Sequence, residues 1–503
     1  MSDHLLLGAT GVVIVASVLL GGGAHSGLLS DALLELIALP ALLLGAWAFV
    51  DLPRERRPRF ALPFFAALGA LFLVQLVPLP PALWTRLPER EMLTGGFALL
   101  GRGTPWASLS VDPHFTRASL ATLVAPIAVF LGASCLRLGQ RRLLLLLLAP
   151  LAMVSVLIGL LQLAQGPESP LRFYRPTNIT EAVGFFANRN HFSALLYCAL
   201  AAAGAWTFDS LRRSGGARAL VADTPRFIAA LAGATTFVIM LAGEAMARSR
   251  AGLALALVAV VGVALLAHDG QGESRDPKAR RNKLWFVLGA LSLGVALQIP
   301  LHRVAERLSV DHVLEDARWT MASRSLETAL AFLPFGSGIG SFVPVYAAHE
   351  RPQDLLPNLA VNHVHDDFLE LLLEGGAAGA ALILAFVAWW GWRSAHVWRS
   401  HSGGGDLYAR AASLIVGLLL LHSFVDYPLR ASAMATVLAL ACALLAAPDQ
   451  MIEALPVAPE PPPSHKRRRR RPQPTPAPTA PEVRPSPAGK LEGFEWPDQW
   501  KGS

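Results

Sequence analysis

Apolar residues in this chain come in blocks, not in alternation. A bilayer-spanning helix needs about 17–25 such residues. Blocks of roughly that length lie at about 4–22, 30–50, 60–79, 116–135, 143–164, 190–208, 227–246, 251–267, 284–300, 367–391, 410–425 and 431–447. A β-barrel would instead show short alternating segments. The pattern predicts an all-α polytopic membrane domain over 1–450 with about twelve transmembrane helices. The first block lacks a basic flank of the signal-peptide kind and is read as an uncleaved span.

The polar connections differ in kind. RERRPR (54–59), RLGQRR (137–142), LRRSGGAR (211–218), SRDPKARRNK (274–283) and the segment from Arg393 to Arg410 are basic and fall at every second connection. The positive-inside rule makes them cytoplasmic, with both termini inside. The connections at about 80–115, 165–189 and 301–366 then face outward. Segment 301–366 contains a helical pattern, ARWTMASRSLETALAFL, and Gly-rich turns, PFGSGIGSF, and predicts an ordered helical periplasmic subdomain. Residues 451–503 are Pro-rich and basic and predict a disordered cytoplasmic tail.

Composition agrees. The 503 residues are 53% hydrophobic and 16% charged, against about 25% charged in soluble domains. The net charge of +7 owes much to one run, His465 to Arg471. That run suits anionic lipid headgroups and gives no reason to expect nucleic acid. Cys135, Cys198 and Cys442 each lie in an apolar stretch and read as packing residues. Their spacing fits neither a disulfide framework nor a zinc site.

Candidate chemistry collects at the predicted outer lip. ARSRAG places Arg248 and Arg250 in a very short outward turn, where arginine either snorkels or binds an anion. Arg318 and Arg324 are six apart on one helical pattern, so at most one points into a shared site; Arg324 then solvates its helix. GFFANRNHF offers Arg189 and Asn190, the second a natural helix cap. VNHVHDDFLELLLEGG carries His363, His365, Asp366 and Asp367 into an apolar helix. The aspartates suit the positive end of the helix dipole and read as its caps, whereas His365 there is disfavoured as a cation and is a candidate general base. A metal site is the rival reading, but two histidines two apart fit no common zinc pattern.

Arginines beside a histidine suit phosphate oxygens and proton removal from a hydroxyl. No nucleotide-binding fingerprint appears on the inner side, so the donor arrives already activated; a lipid-linked pyrophosphate sugar fits. The rival class is a lipid-linked sugar flippase, which should carry charged or broken helices near the midplane. Here the spans are nearly uncharged apart from Glu244, Glu370 and Glu374.

Four stretches together resemble the O-antigen ligase and polymerase superfamily: WASLSVDPHFTRASL, GFFANRNHFSALL, SRAG, and the block from Arg318 through PFGSGIGSF to HDDFLELLLEGGAAG. Asp366 stands where the superfamily usually has Asn. The resemblance implies a metal-independent inverting glycosyltransferase of the inner membrane, needing no cofactor. His365 would activate the acceptor, and Arg250 and Arg318 would hold the donor pyrophosphate. Arg189, Asn190, Arg248, His363, Asp366 and Asp367 are the expected substrate-side residues. The implied donor is an undecaprenyl-pyrophosphate-linked glycan. The implied acceptor is lipid A–core, a lipid-linked repeat unit or another glycan.

Overall fold

The computed structural model describes residues 3–24, 27–174, 178–213, 221–268, 311–354, 361–399 and 406–446. The described chain is mostly helical, with one two-stranded antiparallel pairing of Pro78–Leu79 with Ala107–Ser108.

The membrane part begins with α1 (Asp3–Leu20), α2 (Leu29–Asp51) and α3 (Ala61–Leu76). Next come α4 (Pro113–Ala121), α5 (Val124–Cys135), α6 (Leu138–Leu146) and α7 (Leu148–Gln165). Then follow α8 (Arg189–Arg213), α9 (Thr224–Ala247) and α10 (Arg250–His268). The polar layer contributes α11 (Asp311–Ala331) and α12 (Phe342–His349). The chain returns through α13 (Asp367–Arg399), α14 (Asp406–His422) and α15 (Ser432–Leu445).

Among the described residues, seven helical stretches are long and apolar enough to cross a membrane: α1, α2, Pro113–Cys135, Leu138–Gln165, α8, α9 and α13. The twelve blocks read from the sequence are thus matched in part: four further apolar helices, Ala61–Leu76, Arg250–Leu266, Leu407–His422 and Ser432–Leu445, lie over four more of them and are shorter. The helices at α3, α14 and α15 have 16, 17 and 14 residues. At 1.5 Å per residue α3 and α15 come to less than a hydrocarbon core of about 30 Å, whereas α14 reaches the lower end of the spanning range. The block at 284–300 and the tail at 451–503 lie outside the described residues.

The most enclosed span is α8, buried continuously from Asn190 to Ala205. Its small residues let α9, α10 and α14 approach closely. This fixes the top of α8, where the polar NRNH sequence sits, against the top of α14.

The polar layer has its own small core, in which Met321, Phe332, Phe342, Tyr346, Val364 and Leu373 pack together. The Gly-rich motifs build its base. Gly376 lies inside α13 with φ +60°, which breaks the helix there. The carbonyls of Leu373 and Glu374 accept instead from Ser337 N and Gly338 N, both at 2.9 Å. A Cβ on Gly376 would sit 2.3 Å from the Pro334 carbonyl, so two backbones touch where only glycine fits. The SVDP motif locks the same loop. Asp112 caps α4 through His114 N and Phe115 N, and Thr116 Oγ1 donates to the Ile339 carbonyl at 2.8 Å. The two motifs are thus halves of one joint that seats the polar layer on α13.

Candidate active site

The segment before α13 and the loop between α14 and α15 meet at the top of the bundle. His365 adopts a left-handed backbone, φ +61°, which turns it away from the direction that an extended chain would share with His363. Its Nδ1 lies 2.9 Å from Asp426 Oδ1. The Asp426 side chain is fully buried, while His365 stays 21% exposed. Burial opposes ionisation of Asp426, but the hydrogen bond and charge of His365 outweigh it and hold the carboxyl well below the usual carboxylate range. An ionised carboxylate only accepts, so Nδ1 carries the hydrogen. In the neutral ring Nε2 is then the nitrogen with the free lone pair, and it has no hydrogen bond among the described residues. The sequence argument took the state of His365 from the dipole of α13 alone; the Asp426 carboxylate is a nearer charge of opposite effect.

His363 is used up. Its Nδ1 lies 2.8 Å from Glu370 Oε1, and its Nε2 donates to the Ala24 carbonyl at 2.8 Å. Burial works against the charged ring, but Glu370 outweighs it and raises the pKa of His363. Asp367, Glu370 and Glu374 recur at i, i+3 and i+7 and so share one face of α13. That face meets Arg430: Nη1 is 2.7 Å from Glu374 Oε2, and Nε is 3.5 Å from Glu370 Oε1 and 3.8 Å from Asp367 Oδ1. Asp367 also accepts from Ser423 Oγ at 2.7 Å, and Glu374 Oε1 from Phe342 N at 3.1 Å. Asp366 caps α13 through Phe368 N and Leu369 N. His363, Asp366 and Asp367 are therefore tied into the scaffold of the site.

Tyr427 stands between the two histidines. Its ring meets His363 at 4.1 Å, His365 at 5.0 Å and, edge-on, His191 at 4.9 Å. Asn188 and Asn362 both donate toward its hydroxyl, at 3.4 and 3.3 Å.

The arginines come from other elements. Arg318 is half-buried on α11, and its charge acts on His422 at the end of α14. Arg250 is exposed at the start of α10, and Arg248 takes a left-handed conformation at the end of α9. Between them Ser249 donates to Asn190 Oδ1 at 2.8 Å, tying SRAG to NRNH. Arg189 pairs with Glu181 at 3.0 Å. Arg324 does not solvate its helix: it is 9% exposed and pairs with Asp354 at 3.1 Å and with Glu327. The tertiary fold brings Asp354 under it, which helical spacing could not reveal.

Sequence reasoning missed Asp426, Tyr427 and Arg430. All three lie in HSFVDYPLR, which it treated as a short connection between the last two spans. The available signal was an aspartate and an arginine placed four apart in an otherwise apolar stretch.

Beside the cluster is a cavity of about 1400 Å³. Its walls are apolar, with Leu68, Leu71, Phe115 and Leu382 among them, and its polar end carries Asn362, His363 and Arg430.

Residues 227–384 match the model of a family described as O-antigen ligase. The match takes in Arg248, Arg250, Arg318, His363 and His365, and it supports the O-antigen ligase and polymerase superfamily for this chain. Asp426 and Arg430 lie beyond it. No curated protein matches the chain.

Proposed function

We propose that the protein transfers a glycan from undecaprenyl pyrophosphate to an acceptor hydroxyl at the periplasmic face of the inner membrane, with inversion and without a metal. The observation that carries this reading is the His365–Asp426 pair, with Nε2 of a partly exposed histidine left as the proton acceptor. Nε2 takes the acceptor proton while the acceptor oxygen bonds to the anomeric carbon. The bond from that carbon to the pyrophosphate breaks, and its electron pair stays on the pyrophosphate oxygen. Arg250 and Arg318 stabilise this leaving group as its charge develops. Arg248, Arg189 and Asn190 shape the donor side. His363, Asp366 and Asp367 serve by holding the platform from which His365 projects.

The neighbouring apolar cavity supports a lipid-borne substrate, since it can enclose hydrocarbon chain next to a polar headgroup. The acceptor is lipid A–core, a lipid-linked repeat unit or another glycan.

Replacing His365 with Ala in the native host tests the reading, with lipid-linked and surface glycans compared by chain length. Single repeats stranded on lipid identify a polymerase, and long chains stranded on lipid a ligase. An unchanged profile in cells that still carry the protein removes His365 as the base and turns the reading toward a lipid-linked sugar flippase.

A further inference from the structure

Behind His365 lies a second set of polar atoms that the reaction as described does not use. Asp426 Oδ1 is held by His365, but its Oδ2 is buried with no hydrogen-bond partner among the described residues. The same holds for Nδ1 and Nε2 of His191 and for Nε2 of His422. Both imidazoles are fully buried. They come from different helices, His191 from the top of α8 and His422 from the end of α14. His191 lies within electrostatic reach of Asp426, His422, His363 and His365. His422 reaches Asp426 and Arg318 in the same way, and its Nδ1 is 3.0 Å from the Tyr197 hydroxyl.

Buried polar atoms are nearly always satisfied, by protein or by ordered water. Four orphaned atoms, one on the carboxylate and three on the two imidazoles, make polar surroundings of the kind that hold buried water. A packing role alone would favour apolar side chains at these positions.

We propose that His191 and His422 are positioning residues for the base: with Asp426 they enclose a buried water site, in which water bridges Asp426 Oδ2 to their ring nitrogens. The inference rests on the reading of His365 as the base. Asp426 is faced by His365 from the segment before α13, by His191 from α8 and by His422 from α14. Tyr427, Tyr197, His363 and Arg318 complete its charged and titratable surroundings. Donors on Oδ2 fix the plane of the carboxylate and draw its charge away from Oδ1. Removing one concentrates the charge on His365, which favours the imidazolium, so His365 gives up its proton only at higher pH.

The test measures kcat/KM against pH for glycan transfer in membranes that carry the full-length chain and the native lipid-linked glycan. With His191→Phe the acidic limb should move up by about half a pH unit or more, with KM for the donor unchanged. His191→Gln keeps a donor and should stay near the unaltered protein, and His422→Phe should shift the limb in the same direction. A uniform loss at every pH with the limb in place overturns the proposal. A second readout needs no activity: a cryo-electron microscopy map of the full chain in a lipid nanodisc, at a resolution that shows water. Ordered density between Asp426 Oδ2 and His191 or His422 upholds the site; a dry contact there overturns it. That result stands whether or not His365→Ala abolishes transfer, so the two readings fail separately.

Discussion

Two histidines two residues apart have been given opposite tasks. His363 is a closed point, with both nitrogens engaged, Glu370 on one side and a carbonyl on the other. His365 is an open point, with one nitrogen engaged and the other turned outward. The closed region is a charge cluster, in which Arg430 holds three carboxylates of α13. The open region is a lone dyad on a buried aspartate. Saturated polar groups specify a geometry, because any movement leaves a buried charge unpaired. A group left with an unused lone pair can accept a proton. The difference between them comes from one left-handed residue and from the two ends of one loop, which delivers Asp426 to His365 and Arg430 to the neighbours of His363.

The comparison breaks most plainly in the closed region. Arg430→Leu leaves Asp367, Glu370 and Glu374 facing one another without their cation. A loss of about 3–5 kcal/mol in stability is expected, read as a lower melting temperature of the purified protein in detergent and a lower level in membranes. A variant that melts like the unaltered protein would show that the cluster does not hold the platform.

Asp426→Asn should act in the opposite sense, with chemistry lost and, of the stability, only the part that the ionised Asp426 contributes. The amide can donate to Nδ1 and so turn the lone pair of His365 inward, the wrong tautomer for attack. A fall in transfer rate of about a hundredfold or more is expected at unchanged protein level. Full activity in this variant would leave His365 without a need for its partner.

The smallest effect sharpens the comparison through pH. The pKa of Asp426 is depressed, so its contribution to stability is present above the ordinary carboxylate range and fades as pH falls toward its folded value. The pKa of His363 is raised, so its contribution is complete below the ordinary imidazole value of about 6.5 and fades as pH rises through its folded value. Acid should therefore loosen the dyad and mild alkali the cluster. Melting curves of His363→Gln should lose the decline on the alkaline side and keep the decline on the acid side. Curves that still fall on both sides would remove His363 as the source of the alkaline decline.

Much of this was legible before any coordinates. Apolar blocks announced the helices, and HDDFLELLLEGG announced a polar helix start, since charged residues at the mouth of an apolar helix need partners. The capping role of Asp366 followed from its place at a helix N-terminus. The SVDP and PFGSGIGSF stretches were visible as motifs, but their joining was not: Thr116 meets Ile339 across more than two hundred residues.

The sequence by itself determined what depends on neighbours along the chain: helical periodicity, apolar length, the i, i+3, i+7 carboxylate stripe and the preference for a cap. Tertiary structure alone decided which histidine is free. That choice turns on Asp426, some sixty residues away in the chain and 2.9 Å away in space. It also decided that Arg324 is paired and that Arg430 rules the carboxylate stripe. The physical reason is the same in each case. Propensity and hydropathy act locally, whereas the hydrogen bonds and charges that give a buried side chain its function are set by whatever the fold places opposite it.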